Sequence, residues 1–434
     1  MRRLLSAVII ASGFAPACYA LDLAQAYEQA LKNDPQWAAT TNQYLSDGQK
    51  EALSQGALLP TVGLSATINR NKVSPETGSN YDYTGQQYAL QLRQPLYRAD
   101  LWRAWQKSKS LTSVNEANYR QKQQEQVLRV SEAYFNVLRA EETLSSAKAE
   151  EAALKRQLEQ AQKRFDVGLI AKTDVLEAQA QLDGSTAGRI SQEVGLASAR
   201  ETLAAIIGND PGKLSALRTD FVVTPPQPAN PDDWVKLAKD KNPQLASARF
   251  SYDSAQQAVS EQRSGYLPTV DFVASASKRD NGNGNNLSFN NAQQMTAGVE
   301  LQWALYAGGR TTTAIKQASY ASDAARDQVT SVERQLTTQT RTAFLNVSAD
   351  SYRVTARQQA VKSSEAALAA TKAGYDVGTR NIVDVLLAER TVYAAKRDYA
   401  NARYDYVINT IKLRASSGQL GEVDIKELNG WLGQ

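Results

Sequence analysis

The chain has 434 residues, with 49 basic and 45 acidic side chains and a formal charge of +4 at pH 7. It contains no histidine and a single cysteine. This composition excludes metal sites built from Cys and His, and the small charge excess argues against a polyanionic partner such as nucleic acid.

The first 20 residues are predicted to form a secretory signal peptide. Arg2 and Arg3 precede an apolar run over residues 4–14, and Ala20 marks the expected cleavage site. Removal of this segment takes away both arginines and their two positive charges, so the formal charge falls from +4 to about +2.

The only cysteine, Cys18, lies within this segment. The mature chain is therefore expected to have no thiol and no disulfide. In an alternative interpretation Cys18 accepts a lipid, because a small residue, Ala17, precedes it. Pro16 and the absence of an aliphatic residue three positions upstream argue against that alternative.

The rest of the chain contains a tandem duplication. Leu-Pro-Thr-Val at residues 59–62 returns at 267–270, an offset of 208. Asp-Val-Gly at residues 166–168 returns at 376–378, an offset of 210. Since the register changes by only two positions, each half is predicted to build the same substructure.

The duplication and the turn signals divide the chain into predicted segments. They are the signal peptide at 1–20, a first repeat over 21–207 (a helix, a β-hairpin at about 61–96 and a helical hairpin at 99–207), a Pro-rich connector over 208–240 that belongs to an equatorial belt, a second repeat over 241–416 (a helix, a β-hairpin at about 269–305 and a helical hairpin at 311–416), and a C-terminal equatorial segment over 417–434.

Four segments alternate apolar and more polar residues, which is typical of β-strands with one apolar face. The apolar positions are Val62, Leu64, Ala66 and Ile68, then Tyr88, Leu90 and Leu92, and in the second copy Val270, Phe272, Ala274 and Ala276, then Met295, Ala297, Val299, Leu301 and Trp303. Strands of about 10 residues have the length of outer-membrane barrel strands. The connections at 72–86 and 279–294 are rich in Asn, Gly and Ser and predict loops.

After the signal peptide no apolar stretch approaches the roughly 20 residues of a transmembrane helix, so a barrel is the remaining way to enter a membrane. Four strands are too few, because about eight is the usual minimum. An open sheet would leave two unpaired edges in lipid. Three copies supply about 12 strands and a lumen, whereas two supply about eight and a filled interior. We therefore expect a homotrimer.

Two runs without Gly or Pro, at 99–167 and 311–373, predict helices of roughly 95 to 100 Å. Each run continues to a glycine, Gly168 or Gly378, that suits a helix end, and a return helix follows. The return helices are predicted at 172–207 and 381–416, and shorter helices at 35–58 and 243–266 are expected to stack on them and match each long helix.

A seven-residue apolar repeat in the long helices predicts left-handed coiled-coil packing. Its positions are Val347, Val354, Val361, Leu368 and Tyr375, with Val137, Leu144, Glu151, Leu158 and Phe165 as first-copy equivalents. The predicted fold class is thus a mixed α and β membrane fold. A trimeric 12-stranded β-barrel, with four strands per chain, is continued by a long α-helical barrel of coiled-coil hairpins.

Several motifs then carry a family resemblance. They are the two Leu-Pro-Thr-Val junctions, Leu-Tyr-Ala-Gly-Gly at 305–309, the hairpin tips at 164–168 and 374–378, the stretch at 377–386, and Ala-Asn-Ala-Arg-Tyr at 400–404. In motif order, duplication and strand number the chain resembles the TolC-type outer-membrane efflux and secretion ducts over nearly its full mature length.

The resemblance implies a homotrimer in the outer membrane of a Gram-negative bacterium, with a helical tunnel across the periplasm. It also implies an iris of helix tips that is closed at rest. The expected function is a passive exit duct of a tripartite type I secretion or multidrug efflux system. A periplasmic adaptor and an inner-membrane pump of the ABC or RND type are the expected partners, together with outer-membrane lipid.

The resemblance also assigns a gate latch. In the family, a tyrosine and an arginine of the second hairpin bond to an aspartate and its neighbours on the first hairpin. The matching residues here are Tyr375, Arg380, Asp174 and Thr173. An arginine with a carboxylate gives a directional bond that an approaching partner can break.

Below the latch, the family carries two aspartate rings. Asp384 matches the first ring, whereas Leu387 stands at the position of the second. With one such ring, cation selectivity is expected to be weaker. Gly168 and Gly378 mark the tips expected to contact the adaptor.

Other interpretations compete with these. Asp174 and Asp384 could serve only as helix N-caps. The loop at 280–286 loosely resembles a calcium-binding repeat, but it occurs once and lacks the acidic spacing. A trimeric surface adhesin also pools four strands per chain, but its strands are contiguous at the C-terminus, whereas here they form two separated hairpins. No constellation for catalysis, cofactor or metal binding is evident, so we do not predict an enzyme.

Overall fold

The computed structural model describes residues 20–74, 76–77, 80–280 and 292–433. Within this part the helices are α1 (Leu23–Asn33), α2 (Pro35–Gly56), α3 (Ala99–Asp166), α4 (Lys172–Ile207), α5 (Pro231–Lys241), α6 (Pro243–Arg263), α7 (Arg310–Asp376), α8 (Ile382–Ser416) and α9 (Glu422–Asn429), with a 3₁₀ turn at Ser264–Tyr266. The strands are β1 (Thr61–Val73), β2 (Tyr81–Tyr97), β3 (Thr269–Asp280) and β4 (Ala292–Gln302). The signal-peptide prediction, apart from Ala20, and the calcium-repeat comparison, apart from Asp280, fall outside the described residues.

Two helices dominate the molecule. α3 has 68 residues and α7 has 67. At 1.5 Å per residue each extends about 100 Å. The prediction of two uninterrupted long helices is confirmed. No helix among the described residues is both long enough and apolar enough to cross a membrane.

The helices pack in a defined order around the two long ones. α4 packs on α3, α3 also contacts α8, and α8 packs on α7. Nearer the sheet, α2 lies on α3, while α6 contacts both α3 and α7. The short helices thus continue the return helices along the long ones, and α4 and α7 lie at opposite edges of the hairpin pair.

The seven-residue seam loosens toward the hairpin tips. Val347 and Val354 are buried in α7, as are Val137 and Leu144 in α3. Farther along, Val361, Leu368, Tyr375, Glu151 and Leu158 are half-buried, and Phe165 is exposed. Packing within one chain is therefore tightest near the middle of the long helices.

The repeated Asn/Asp-Pro-Gln sequence starts a helix in each copy. Asp34 caps α2, and its side chain accepts from the Gln36 N–H at 2.9 Å. Asn242 caps α6 in the same way, also at 2.9 Å. Proline follows each cap at the first helical position, where its missing N–H costs nothing. The conserved spacing between the copies thus has a local structural cause.

The four strands form one antiparallel sheet in the order β1-β2-β3-β4. The predicted loop at 72–86 is too long, because β2 already starts at Tyr81. The first residues of β2 are polar, and they pair with polar residues of β1, Asp82 opposite Lys72 and Thr84 opposite Arg70. Because polar composition is typical of loops, this part of the strand was not predicted. At the other end Trp303 lies just past β4, where its indole N–H donates to the Tyr266 carbonyl at 3.1 Å.

The register gives the sheet one apolar and one polar face. One row across the strands reads Leu64, Leu90, Ala276 and Met295. The neighbouring row reads Gly63, Gln91, Ser275 and Thr296, and by the pleat its side chains point to the opposite face. On that polar face Arg93 bonds Glu300 at 3.0 Å.

The main core lies in a belt around the middle of the helices. We define the belt as α1, residues 208–230, α9 and the faces of α3, α4 and α8 that pack on them. The fully buried Tyr134 hydroxyl lies 2.9 Å from the carbonyl oxygens of Leu21 and Ser215, which ties the chain start and connector to α3. Burial raises the pKa of Tyr134.

Several belt elements differ from the predicted segments. α1 and α9 were not predicted, and α5 crosses the predicted boundary between residues 240 and 241. These helices have 11, 8 and 11 residues. Such short helices contain too few turns for their apolar spacing to stand out in the sequence.

Candidate functional site at the helical tips

Both helical hairpins turn through the same helix-ending motif. After α3 the Gly168 N–H donates to the Phe165 carbonyl at 2.8 Å, and the Leu169 N–H donates to the Arg164 carbonyl at 2.9 Å. The same two bonds, of 3.1 and 2.8 Å, surround Gly378 after α7. This Schellman arrangement requires positive φ, and the glycines adopt 75° and 81°.

The tips expose apolar side chains. Val167, Leu169 and Val377 flank the two turn glycines, and each has at least 70% of its side-chain surface exposed. Large apolar residues grouped at a helix tip are typical of a contact surface for a partner. Gly168 and Gly378 thus lie within this exposed apolar surface, and the adaptor contact there remains a prediction.

A small apolar cluster joins the hairpins just above the tips. Its buried members are Leu154 and Ala161 of α3, Ala178 of α4, and Ile382 and Leu386 of α8. This cluster is separate from the large core of the belt and contains few large side chains. Segments with few buried apolar contacts open at lower free-energy cost than the main core.

Tyr375 connects the second hairpin to the first. It packs against the apolar cluster, and the Arg164 guanidinium lies 4.5 Å from its ring centroid. Arg164 also places its Nη2 atom 3.7 Å from the Asp376 carboxylate. The predicted latch residue Tyr375 therefore contacts the first hairpin through Arg164.

Arg164 lies in the first hairpin-tip motif at 164–168, but the family resemblance assigns it no role. At the offset of 210 its equivalent in the second copy is Gly374. A charged side chain in one copy and glycine in the other is a departure from the duplication at the hairpin tip. That asymmetry is the sequence signal that could have pointed to Arg164.

Arg380 lies in the turn after Gly378. Its Nη1 atom is 3.9 Å from the Asp384 carboxylate of the same hairpin, and 62% of its side chain is exposed. The single chain thus leaves most of the guanidinium accessible to another group.

Asp384 takes part in the start of α8. Asn381 is the N-cap and accepts from the Asp384 N–H at 2.8 Å, while the Asp384 carboxylate accepts from the Asn381 N–H at 3.3 Å. This reciprocal pair is a capping box, with Asp384 at the third helical position. The N-cap interpretation of Asp384 is therefore wrong in detail, because Asn381 holds that position.

Asp174 and Thr173 lie in the first turn of α4. The N-cap of α4 is Ala171, so Asp174 is not the cap either. Asp174 is half-buried and Thr173 is exposed. Within the described part of the single chain, neither side chain makes a hydrogen bond or ion pair. Their predicted bonds with Tyr375 and Arg380 remain a prediction.

A polar cavity of about 520 Å³ separates the hairpins near Tyr375. Arg156, Lys163 and Arg164 line one side. Lys372 Nζ lies 2.6 Å from Glu389 Oε1, although Glu389 is only 5% exposed. The second Glu389 oxygen is buried and has no hydrogen-bond partner among the residues that the structure describes. The hairpins therefore meet through a charged cavity as well as through the apolar cluster.

The described residues contain no group of three or more Asp, Glu, His or Cys side chains placed to hold a metal ion. The arrangement of the tips consists of exposed apolar turns, charged pairs and a small cluster between two hairpins. Such an arrangement can bind a helical partner and can change how the hairpins pack, since breaking the charged pairs costs less at exposed sites.

Comparison with known proteins identifies the family. The model of the family described as "Outer membrane efflux protein" matches residues 26–209 and 234–419, which together contain both copies of the duplication. The chain belongs to the outer membrane efflux protein family. The resemblance stated from the motifs is therefore confirmed.

Individual members extend the match over nearly the whole chain. The outer membrane protein TolC of Vibrio cholerae is 37% identical over 96% of this chain and 95% of its own length. The alkaline protease secretion protein AprF of Pseudomonas aeruginosa is 28% identical over 94% of this chain and 86% of its own. The Campylobacter jejuni CmeC outer membrane channel superimposes with a TM-score of 0.78 at 16% identity, over 95% of this chain and 90% of that one, and shows the same fold.

This outer membrane efflux protein is an exit duct for secretion or efflux. It lies in the outer membrane and extends into the periplasm. The predicted function and location are confirmed. The predicted helical and four-stranded architecture is also confirmed, since solved outer-membrane channels share it. Its family consists of channels, which disfavours the adhesin alternative.

Proposed function

We propose that three copies of this chain form a passive duct with one shared 12-stranded barrel and an iris of helical tips that opens when an adaptor docks. The observation that carries this proposal is that a single chain leaves surfaces without a partner both at the sheet and at the helical tips. The sheet as described ends in two open edges, and the helical tips expose apolar turns together with Asp174 and Thr173, whose side chains make no hydrogen bond or ion pair among the described residues.

The sheet supports sharing between copies. β1 and β4 each pair on one side only, and the apolar face that runs across the four strands suits contact with lipid. In a bilayer an unpaired edge costs several kcal/mol per unsatisfied backbone group. Pairing of β1 with β4 of the next copy removes both edges, and three copies leave a lumen.

The helical edges support the same closure. On α4 Leu176, Ile190 and Val194 are exposed along one stripe, and on α7 Leu345 and Tyr352 are exposed seven residues apart. These two faces lie at opposite edges of the hairpin pair. A contact between two different faces is heterologous, and it forms a closed ring when the rotation from one copy to the next adds up to a full turn.

The gate rests on the latch residues. Asp174 and Thr173 are in the first turn of the edge helix α4, and Arg380 exposes most of its guanidinium. In the assembled tips Arg380 bonds Asp174 and Thr173, and Tyr375 adds a bond to the first hairpin. Asp384 contributes an acidic ring to the lumen, while the exposed Leu387 leaves the second ring position uncharged.

The exposed tips support the proposed partners. A periplasmic adaptor docks on the turns at Gly168 and Gly378, and an inner-membrane pump of the ABC or RND type supplies the energy. The chain itself catalyses no reaction. Cleavage after Ala20 releases the signal peptide, and the connector over 208–240 and the segment over 417–434 complete the equatorial belt.

Single-channel conductance in planar bilayers tests the gate. Arg380→Ser removes the charged bond, so we expect a small, steady conductance in the wild type and a several-fold larger one in the variant. Arg334→Ser is the matched control, because Arg334 is an exposed arginine of α7 about 63 Å from the helix end. Equal conductance of wild type and Arg380→Ser, from assembled protein, would remove Arg380 from the latch.

A further inference from the structure

A groove of about 410 Å³ lies where the sheet meets the helices. Its walls come from the turn after α2, the end of β2, the start of α3 and the turn before β3. The residues used below are Leu58, Leu96, Tyr97, Trp102, Arg103 and Leu267.

The groove opens on the apolar face of the sheet. The Gln94 side-chain amide donates to the Leu58 carbonyl at 3.1 Å, so Leu58 is on the face to which Gln94 points. Along β2, Gln94 has the same parity as Leu90 and Leu92, which form the apolar rows. Arg93 points the other way, toward Glu300. In an outer-membrane protein the apolar face is the one in contact with lipid.

The groove lies at the membrane boundary. The strands end there and the helices that extend into the periplasm begin. Trp102 is 50% exposed at this level, next to exposed Leu96 and Tyr97. Trp and Tyr favour the interfacial region of a bilayer, where an apolar ring and a polar edge are both accommodated.

Arg103 supplies an unpaired positive charge at the rim. Nearby cations are already engaged: Arg98 with Asp100 at 2.8 Å, Lys107 with Glu261 at 2.6 Å, and Lys109 over the Trp105 ring at 3.7 Å. Arg103 is exposed and makes no ion pair or side-chain hydrogen bond in the part of the chain that the structure describes. A guanidinium of this kind suits a phosphate oxygen pair.

The strand walls of the groove lie away from the sheet edges through which copies pair in the proposed trimer. Its strand walls come from β2 and from the approach to β3, which are the central strands of the sheet. Copies that meet through β1 and β4 leave this position uncovered. In the proposed assembly a neighbouring copy does not cover the strand walls, and among the described residues no other segment covers the exposed side chains of Leu96, Tyr97 and Trp102.

We propose that this groove is a binding site for one phospholipid of the periplasmic leaflet. The phosphate bonds Arg103, and the upper part of an acyl chain lies against Trp102, Leu96 and Leu267. The groove is continuous with the apolar face of the sheet, which contacts the acyl chains. It lies at the membrane boundary, where lipid headgroups lie, and the positive charge of Arg103 complements a phosphate. The site is separate from the conduction path and goes beyond the duct function.

The test is native mass spectrometry of the purified protein after incubation with vesicles of phosphatidylethanolamine and phosphatidylglycerol. We expect one phospholipid retained per chain in the wild type, with a several-fold loss in Arg103→Glu. Arg334→Glu makes the same charge change about 36 Å along α7 from its start, and should retain the lipid. Arg103→Gln gives a milder variant in case the charge reversal impairs folding.

Diacylglycerol with the same acyl chains is the second probe, because it lacks the phosphate. Weak retention of diacylglycerol supports the contact with Arg103. Equal retention of diacylglycerol and phosphatidylglycerol, or unchanged phospholipid retention in both folded Arg103 variants, would overturn the proposal. Conductance reports on the duct separately, so failure of the lipid site and failure of the gate are distinguishable.

Discussion

Among single residues, Gly374 leaves the space that the Arg380 side chain occupies at the tip. A Cβ at Gly374 would lie 2.9 Å from Arg380 Cγ and 3.2 Å from Thr379 Oγ1. Alanine has a higher helix propensity than glycine by roughly 0.8 to 1 kcal/mol, so the substitution would not weaken the last turn of α7. If the gate closes less well in Gly374→Ala, the cause would therefore be displacement of the Arg380 and Thr379 side chains. We expect Gly374→Ala to raise single-channel conductance toward that of Arg380→Ser.

Gly48→Ala is the matched control for this prediction. Gly48 is also within a helix, but a Cβ there meets no atom within 4 Å. Its conductance should equal that of the wild type. If Gly374→Ala also conducts like the wild type, the position of Arg380 seen in the single chain does not determine closure.

At this scale the sequence predicted positions better than contacts. The turn glycines Gly168 and Gly378 followed from the duplication and from the need for positive φ at a helix end. The contact of Arg164 with Tyr375 did not follow, because it depends on how two hairpins cross. A resemblance transfers residue types at matching positions, but it does not specify the rotamer that each side chain adopts in this chain.

At the scale of elements, one arginine makes several bonds to α9, in addition to the burial of Ile425 and Leu428. The Arg414 guanidinium, near the end of α8, bonds Glu427 at 2.7 and 2.8 Å and Asp424 at 2.6 Å. Its hydrogen bond holds the pKa of Glu427 below the usual range. The last helix is thereby fixed to the end of the second helical hairpin.

The pH dependence of this contact has a defined sign. A carboxylate with a depressed pKa in the folded state stabilises the fold above the ordinary Glu pKa, about 4.3, and loses that effect as the pH falls through the folded pKa. We expect Glu427→Gln to lower the melting temperature at pH 7. Because Glu427 is 52% exposed, screening limits the loss to less than about 1 kcal/mol.

Calorimetry from pH 7 to pH 3 checks this expectation. The difference between the wild type and Glu427→Gln should shrink as the pH falls through the folded-state pKa of Glu427, which lies below the ordinary Glu value, because the protonated carboxyl no longer carries the charge that Arg414 stabilises. Glu28→Gln is the control, since Glu28 is an exposed residue of the same belt without an ion pair among the described residues. A difference that stays constant with pH would show that the substitution acts through packing.

Element prediction succeeded where a pattern was long. The absence of Gly and Pro over more than 60 residues left few alternatives to α3 and α7. The polar start of β2 was missed because its ladder partners, and not its composition, make it a strand. α1 and α9 were missed because they have only 11 and 8 residues, too few for a clear apolar period, and because packing in the belt stabilises them.

For the whole molecule, the two edges of the chain are different surfaces. The α4 edge carries a stripe of Leu176, Ile190 and Val194, whereas the α7 edge carries Leu345 and Tyr352. Contact between unlike edges repeats around a ring, while contact between like edges stops at a dimer. The number of strands per chain could be predicted from the sequence. Which edges of neighbouring copies meet could not, because that depends on contacts between chains.

Cross-linking between engineered cysteines tests this arrangement, because the chain after the predicted cleavage site at Ala20 contains no cysteine. Val194 lies about 33 Å along α4 from its start at the tip, and Tyr352 lies about 36 Å from the tip end of α7. Both are exposed, by 66% and 73%, so both are available to a neighbouring copy. We expect Val194→Cys combined with Tyr352→Cys to give a covalent trimer with a short bismaleimide on a denaturing gel.

The single variants carry one thiol per chain and should run as monomers under the same treatment, because unlike edges meet in the ring. A second control combines Val194→Cys with Val423→Cys, since Val423 is exposed on the belt helix α9, away from both edges. A product that stops at the dimer in the Val194/Tyr352 pair would indicate two-fold association and remove the 12-stranded barrel. A trimer from that pair alone places α4 of each copy against α7 of the next, which is the geometry that the tip latch requires.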